Sequence, residues 1–346
     1  MAPVRVLVTG AGSGVGNGIV KALRRGALPV TVCCSDIAPL NVGLFRADEA
    51  VIWPKVESPG ALEAITASLK ALAIDVVLIG SEYDLQFFAD NRAAIESKTG
   101  ARIVVSPPQT IAVANDKWRT AEFFRANRLP FAETALPKDL AAAEAVARDW
   151  GYPVMLKPRS GTSSRHVHVI EDAAQLGRLL PAVPAPILQR LLDTPAAELK
   201  NEYTATVFKT ADGDVLGPFV GRRTMRGGDS WNVEVDAFPD VHPPLRDIAD
   251  RLPVMGTLNV QLIMTENGPV PFEINARFSG TTAVRAHFGF NDAEMAIRHF
   301  HLGESLAQPK IGRGMAFRYM EEVFVDGVGA ADLRAPFPKG EVHSWF

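Results

Sequence analysis

The sequence predicts a mixed α/β protein built in two unlike parts: a doubly wound parallel sheet at the N-terminal end, then a largely antiparallel sheet with few helices. Three observations carry this. The first is VTGAGSGVGNG, which follows an apolar run at Val4 to Val8 and leads into Ile19, Val20 and Leu23 at helical spacing, the pattern of a strand, a tight turn and a helix. The second is the alternation of VRVLV, VTVCC, AVIWP, DVVLIG and RIVVS with helical stretches as far as Pro108, which is the pattern of a parallel sheet with helices on its faces. The third is the later series PILQRLL, TATVFKT, VLGPFV, WNVEVDAF, LNVQLIM and VPFEINAR, with turns such as ADGD (Ala211 to Asp214) and TENG (Thr265 to Gly268) joining hairpins. At 346 residues the chain exceeds one ordinary core, and a formal charge of −3 gives no pull toward nucleic acid or an anionic membrane. No apolar run approaches about 20 residues, and MAPVRVLVTG opens as a strand rather than as a charged leader. The expected setting is the cytoplasm, with small-molecule partners, no nucleic acid and no membrane.

In the first part, glycines are needed where the backbone turns sharply and lets a phosphate or another chain segment approach the helix N-terminus. Asp36 ends the second apolar run, where a ribose-binding carboxylate would stand in a dinucleotide site. The TGAGSGVG turn, Thr9 to Gly16, therefore suggests a dehydrogenase. The catalytic Tyr-x-x-x-Lys of that class is absent, because none of Tyr83, Tyr152, Tyr203 or Tyr319 has lysine four residues later. Asp36 then reads better as a turn or cap residue. Cys33 and Cys34 are adjacent in a buried strand and read as reduced core side chains.

Pro107 and Pro108 mark a break, after which Asn115 or Asp116 can cap a helix whose apolar positions are Trp118, Phe123 and Phe124. A second helix, about Leu140 to Trp150, closes on Gly151. YPVMLKPRSGTSSRHVHVI then reads as a strand, a Gly/Ser/Thr loop and a second strand bearing His166 and His168 on one face, with no third residue to make a zinc site. PAVPAP, Pro181 to Pro186, is a short stiff connector.

The chemistry concentrates in the second half. Gln261 lies on one face of LNVQLIM, and Glu273, Asn275 and Arg277 share a face of FEINAR, because side chains repeat every second residue. The TENG hairpin lets Gln261 meet Glu273 and Asn275, an oxygen-only group suited to Mg²⁺, while Arg277 adds a planar donor fork for phosphate. Phe272 and Ile274 belong to the buried face of that strand. Lys117, at a helix start, and Lys157, on the strand before SGTSS, are each placed to pair with phosphate oxygens. Ser160, Gly161, Thr162, Ser163 and Ser164 offer backbone N–H groups and hydroxyls to a polyphosphate. Gln189, Arg190 and Leu191 end a strand whose backbone can bond a purine edge, and Glu202 follows closely enough to accept from ribose hydroxyls.

The order VANDKWRTAEFF, YPVMLKPRSGTSS, PILQRLL with NEYTATV, GTLNVQLIM and VPFEINARFSGTTA resembles that of ATP-grasp enzymes, nearest the carbamoyl-phosphate-synthase-like carboxylate–amine ligases, over about residues 1 to 305. The resemblance implies ATP between two lobes, with Lys117 and Lys157 on phosphates, Gln189 to Leu191 at adenine and Glu202 at ribose. It also implies Gln261, Glu273 and Asn275 on Mg²⁺ (or Mn²⁺), with Arg277 steadying the transferred phosphoryl group and Arg277 and Lys157 as the catalytic pair. Many relatives carry a carboxylate where Gln261 stands, although a glutamine also occurs there in the synthase group. The glycine-rich turn of such chains borders the substrate cleft.

The expected organisation is a Rossmann-like domain over 1–110, a linker helix and lid over 111–188, a lobe with the metal site over 189–310, and a C-terminal strand and tail over 311–346. The expected activity is ATP-dependent joining of a carboxylate to an amine through an acyl phosphate. Rivals are phosphorylation of bicarbonate or carbamate, a short-chain dehydrogenase, and a non-catalytic ATP-binding protein. Arg222, Arg223 and Arg226, in GRRTMRGGDSW, are read as a loop overhanging the cleft that either holds a substrate carboxylate or is solvated; Ser279 and Gly280 are further substrate candidates. His287 and His299 are packing or surface residues. MAFRYMEEVFV looks like a strand returning to the sheet, the tail to Phe346 is a dimer contact or a free end, and the resemblance favours a homodimer.

Overall fold

The structure is a computed structural model that describes residues 2–161, 166–192, 199, 201–334 and 337–344. The five apolar runs of the first part form β1 (Val4–Val8), β2 (Val30–Asp36), β3 (Glu49–Ile52), β4 (Val76–Leu78) and β5 (Arg102–Val104), all parallel, in the order β3-β2-β1-β4-β5. Consecutive β1 residues are buried on both faces: Val6 and Val8 pack with Ile19 and Leu23, whereas Leu7 packs with Ile65 and Phe88. Strand order reverses on either side of β1, which opens a crevice at the C-terminal ends of β1 and β4.

The glycine turn sits at that crevice. A Cβ on Gly16 would run into the Gly10 carbonyl oxygen, and one on Gly80 into that of Thr9, so these glycines serve close backbone packing. Ser13 caps the helix Gly14–Arg25 by accepting from the Gly16 N–H, at 2.9 Å. Asp36 accepts from the N–H groups of Gly12 at 2.8 Å and Ala38 at 3.0 Å, as a turn residue does.

Next come β6 (Thr134–Ala135), β7 (Val154–Pro158), β8 (His168–Ile170) and β9 (Pro186–Arg190), a small antiparallel sheet in the order β6-β9-β7-β8. The helices Leu140–Trp150 and Ala173–Leu179 bury Ala143, Ala147 and Leu176 against Val154, Leu156, Ile170 and Leu188. His166 precedes β8 with a φ of 56°, so it does not share a strand face with His168 as the alternation suggested.

The third sheet comprises β10 (Glu202–Lys209), β11 (Val215–Arg226), β12 (Asp229–Val235), β13 (Gly256–Thr265), β14 (Gly268–Asn275) and β15 (Gly314–Phe317), antiparallel throughout in the order β14-β13-β10-β11-β12-β15. On one face Val260, Leu262 and Ile274 pack with Leu245 and Ile248 of the helix His242–Arg251 and with Phe124. On the other, Phe219, Val233 and Val235 share a core with Ile19 and Leu23, which joins the large sheet to the parallel domain. MAFRYMEEVFV returns to the sheet only as β15; β16 (Val323–Asp326) pairs instead with β17 (Glu341–Ser344).

A fully buried ion pair locks the connection after β14. Arg285 Nη2 lies 2.6 Å from Asp292 Oδ2, which also accepts from Thr257 on β13 at 2.9 Å. Asp292→Ala, which strands the Arg285 charge, is expected to cost about 3–5 kcal/mol. Urea denaturation measures this, and a loss below about 1 kcal/mol would contradict the assignment.

Candidate active site

The β13–β14 hairpin brings the predicted oxygen donors together. Asn259 faces Asn275 and Gln261 faces Glu273 in its register. Gln261 Nε2 donates to Glu273 Oε1 at 2.8 Å, and Asn275 Nδ2 donates to the same oxygen at 2.9 Å. Between these pairs and Leu262–Pro271 the register slips by one, leaving Phe272 as the extra residue of a bulge. The bulge corrects the expectation that Phe272 shares the buried face of Ile274. Phe272 instead lies beneath Lys157, whose Nζ is 5.6 Å from the ring centroid, a cation–π contact. A period-two reading carries no signal for a bulge, so Phe272 was missed.

Lys157 comes from β7 in the small sheet and is 6 % exposed. Burial drives its pKa from 10.5 down to about 8, against the pull of Glu273 and Glu202, with Lys117 lowering it further. Lys117 begins the helix Lys117–Ala126 that Asp116 caps; its Nζ donates to the Gly161 carbonyl at 3.3 Å. Asp116 also pairs with Arg159 at 2.7 Å, tying that helix start to the end of β7. Ser160 and Gly161 are exposed at the mouth of the loop, whereas Thr162, Ser163 and Ser164 lie outside the described residues.

GRRTMRGGDSW is a hairpin of β11 and β12 rather than an overhanging loop, because backbone pairing continues to Arg226 and Asp229. Strand alternation, reset by a register shift between Arg223 and Met225, sends the three arginines to different places. Arg223 is 5 % exposed; its Nη2 donates to Glu202 Oε1 and to Gln261 Oε1, both at 2.7 Å, and its Nη1 donates to Ser230 Oγ at 2.9 Å. Arg222 pairs with Glu234 at 2.6 Å, and Arg226 lies 4.6 Å over the Trp231 ring. A continuous chain of hydrogen bonds thus runs Glu202, Arg223, Gln261, Glu273, Asn275 across β10, β11, β13 and β14.

The small sheet contributes Gln189, Arg190 and Leu191. Gln189 is buried and its Nε2 donates to Thr134 Oγ1 at 3.0 Å; Arg190 pairs with Glu133 at 3.2 Å; Leu191 is half-buried just past β9. The Gln189 and Arg190 side chains are thus taken up by Thr134 and by Glu133 just before β6.

β14 ends at Asn275, so alternation does not carry on to Arg277 as the sequence reading assumed. Arg277 instead reaches the parallel domain, where its Nη2 lies 2.6 Å from Glu82 Oε2, and its Nη1 donates to the Phe278 carbonyl at 2.8 Å. Ser279 is buried, accepting from Arg285 Nη1 at 2.7 Å. The Gly280 carbonyl accepts from Arg318 Nη2 at 2.8 Å, and Arg318 also pairs with Asp229 at 3.1 Å. A Cβ placed on Gly14 would lie 3.1 Å from Asp229 Oδ1, so a carboxylate stands at the N-terminus of the first helix, where a dinucleotide would place its phosphates. Beside the same crevice, burial raises the Asp84 carboxyl to about 6 despite hydrogen bonds from Thr9 and Ser81; Asp36 and Glu57 add to the rise. Asp229 lies in GRRTMRGGDSW and Arg318 in MAFRYMEEVFV, but nothing in either stretch signals that they meet at this helix.

The donor set fits a hard cation. Both hydrogen bonds to Glu273 fall on Oε1 and Asn275 donates through Nδ2, so among the described residues Glu273 Oε2 and the Asn275 amide oxygen remain to act as ligands; one carboxylate with amide oxygens, completed by substrate phosphates, suits Mg²⁺. Gln261 fits less directly, because its oxygen already accepts from the Arg223 guanidinium. Among the described residues no three His, Cys, Asp or Glu side chains group to hold a metal.

A family described as "ATP-grasp in the biosynthetic pathway with Ter operon" matches residues 198–323. The carbamoyl phosphate synthase large chain of Archaeoglobus fulgidus is 24 % identical over 197 residues, covering 53 % of this chain and 18 % of that one. The C-terminal section of the Aquifex aeolicus enzyme is 26 % identical over 231 residues, covering 61 % and 41 %. The chain thus spans about a fifth of the length of the full carbamoyl phosphate synthase large chains that it matches. Among solved structures, the biotin carboxylase domain dimer of Hydrogenobacter thermophilus 2-oxoglutarate carboxylase, in complex with MgADP, ADP and bicarbonate, superposes with a TM-score of 0.70 at 18 % identity, covering 90 % of this chain and 73 % of that one. N5-carboxyaminoimidazole synthetase from Staphylococcus aureus with ADP gives 0.69 at 15 % identity, covering 89 % and 80 %. The order of the three sheets matches the fold of these solved structures, and the stretch from 198 to 323 is similar to an ATP-grasp family.

Proposed function

We propose that the chain is an ATP-dependent carboxylate–amine ligase that acts in the cytoplasm and releases ADP and phosphate. The observation that carries this reading is the hydrogen-bonded chain from Glu202 through Arg223, Gln261 and Glu273 to Asn275, with the buried Lys157 held electrostatically beside Glu273. A buried ammonium with a lowered pKa is costly to keep and marks a site that receives an anion. Lys157 and Lys117 grip phosphate oxygens from the lid side, the backbone of Gln189 to Leu191 receives the adenine, and Glu202 accepts from the ribose. Glu273 and Asn275, with Gln261 behind them, would hold Mg²⁺, which supplies charge neutralisation on the polyphosphate.

The carboxylate oxygen attacks the γ-phosphorus, the bond to the ADP oxygen breaks, and an acyl phosphate results. The amine nitrogen then attacks the carbonyl carbon, the C–O bond to phosphate breaks, and the nitrogen loses its proton. Arg277, which pairs with Glu82 just past the end of β14, steadies the transferred group in this reading; the acidic edge of Glu82 and Asp84 suits a cationic amine. Closure of the lid keeps water from the acyl phosphate. A second reading, with bicarbonate as the carboxylate, is favoured by the carbamoyl phosphate synthase relatives.

ADP release over a panel of carboxylates and bicarbonate, with and without amines, tests both: ADP that requires a carboxylate and an amine supports ligation, ADP with bicarbonate alone supports the second reading, and no carboxylate dependence defeats both. Lys157→Ala should abolish ADP formation without unfolding the protein, and near-normal turnover would refute the assignment. Because the free Lys157 ammonium is lost above a pKa of about 8, the ATP dissociation constant should rise about tenfold from pH 7 to pH 9 in calorimetric titration; a flat profile would count against the contact. The unfolded chain holds this proton more tightly between about 8 and 10.5, so stability rises with pH across that window. Lys157→Met is accordingly expected to be more stable at pH 7, by up to about 3 kcal/mol, with the gain shrinking above pH 8; thermal melts at both pH values decide it.

A further inference from the structure

The outer edge of the large sheet has a self-complementary pattern that the site does not use. Among the described residues no strand pairs with β15 on its far side. Arg318 N–H donates to the Trp231 carbonyl at 2.8 Å, and Ala316 faces Val233 in the β12 register. The even-numbered residues therefore direct their backbone groups at β12, and residues 315, 317 and 319 direct theirs away from the sheet. The side chains alternate as well. Ala316 packs against the shared core and Arg318 reaches Gly280, while Met315 is 43 % exposed, Phe317 68 % and Tyr319 63 %. Free edges normally carry lysine, proline or a bulge; this stretch has none and presents large apolar side chains. Met320, next in sequence, is 85 % exposed.

We propose that β15 pairs antiparallel with β15 of a second copy of this chain, with the two-fold axis passing through Phe317. That register is the one the backbone allows: Phe317 forms a hydrogen-bonded pair with its own equivalent, and Met315 does so with Tyr319 of the second copy, so that the outward-facing donors and acceptors are satisfied. It stacks apolar on apolar in every row, Phe317 on Phe317 and Met315 beside Tyr319. It also sets Arg313, 79 % exposed despite its pair with Asp236, opposite Glu321 of the second copy, twice by symmetry. This charge match selects a second copy over an unrelated strand. The interface lies on the outer strand and is independent of the ligase reading, and the measurement needs no substrate.

Sedimentation velocity of the full chain at about 10 µM should give twice the 37.3 kDa chain mass. Phe317→Asp should reduce this to the single-chain mass with an unchanged circular dichroism spectrum, since the side chain is 68 % exposed in the single chain. Arg313→Glu should weaken the dimer about tenfold or more, and adding Glu321→Arg to it should restore association. Phe317→Cys should form a covalent dimer on oxidation. A monomeric wild type, a dimer that survives Phe317→Asp, or a charge swap that fails to restore association would overturn the proposal.

Discussion

Glu273 accepts two hydrogen bonds at a single carboxylate oxygen, from Gln261 and Asn275, and the geometry of the cleft follows from that arrangement. A carboxylate on a sheet face otherwise committed to apolar packing must be compensated, and a ring of amides, a guanidinium and an ammonium does so here. Arg223 anchors one end of the chain and fixes Glu202 at the same time. Lys157, brought over from the small sheet on β7, supplies the remaining positive charge. These groups belong to strands in two different sheets, so the cleft exists only when both are in place.

The same sheet face changes character along its width. Near β14 and β13 it is polar, with Asn259 and Asn275 buried and Gln261 and Glu273 half-buried; towards β12 it carries Val233 and Val235 and is sealed against the first helix. This seal explains how the glycine turn of the parallel domain comes to face Asp229 and Arg318. A carboxylate already standing at that helix N-terminus disfavours a dinucleotide phosphate there, and the missing Tyr-x-x-x-Lys agrees with it.

Much of this was legible in the residues, and the parts that were not have physical reasons. The parallel strands announced themselves through apolar runs buried on both faces, and the meeting of Gln261 with Glu273 and Asn275 followed from a short turn and a period of two. Phe272 escaped because a bulge resets that period without any mark in composition. The role of Arg223 depended on β10 lying between β11 and β13, a neighbour order that alternation within one strand does not reveal. Arg277 departed from its expected face because its strand ends two residues earlier, and Glu82 in another domain then became its partner. Arg318 joins Gly280 from just past β15, outside the span of 1 to 305 over which the motifs lie.

The most direct measurement is a crystal structure of the protein soaked with a non-hydrolysable ATP analogue and magnesium. The account predicts the triphosphate between the lid and the large sheet, with Lys117 and Lys157 on its oxygens and the metal on Glu273 and Asn275. Nucleotide lodged at the Gly10–Gly16 turn, or a metal held away from Glu273, would contradict it.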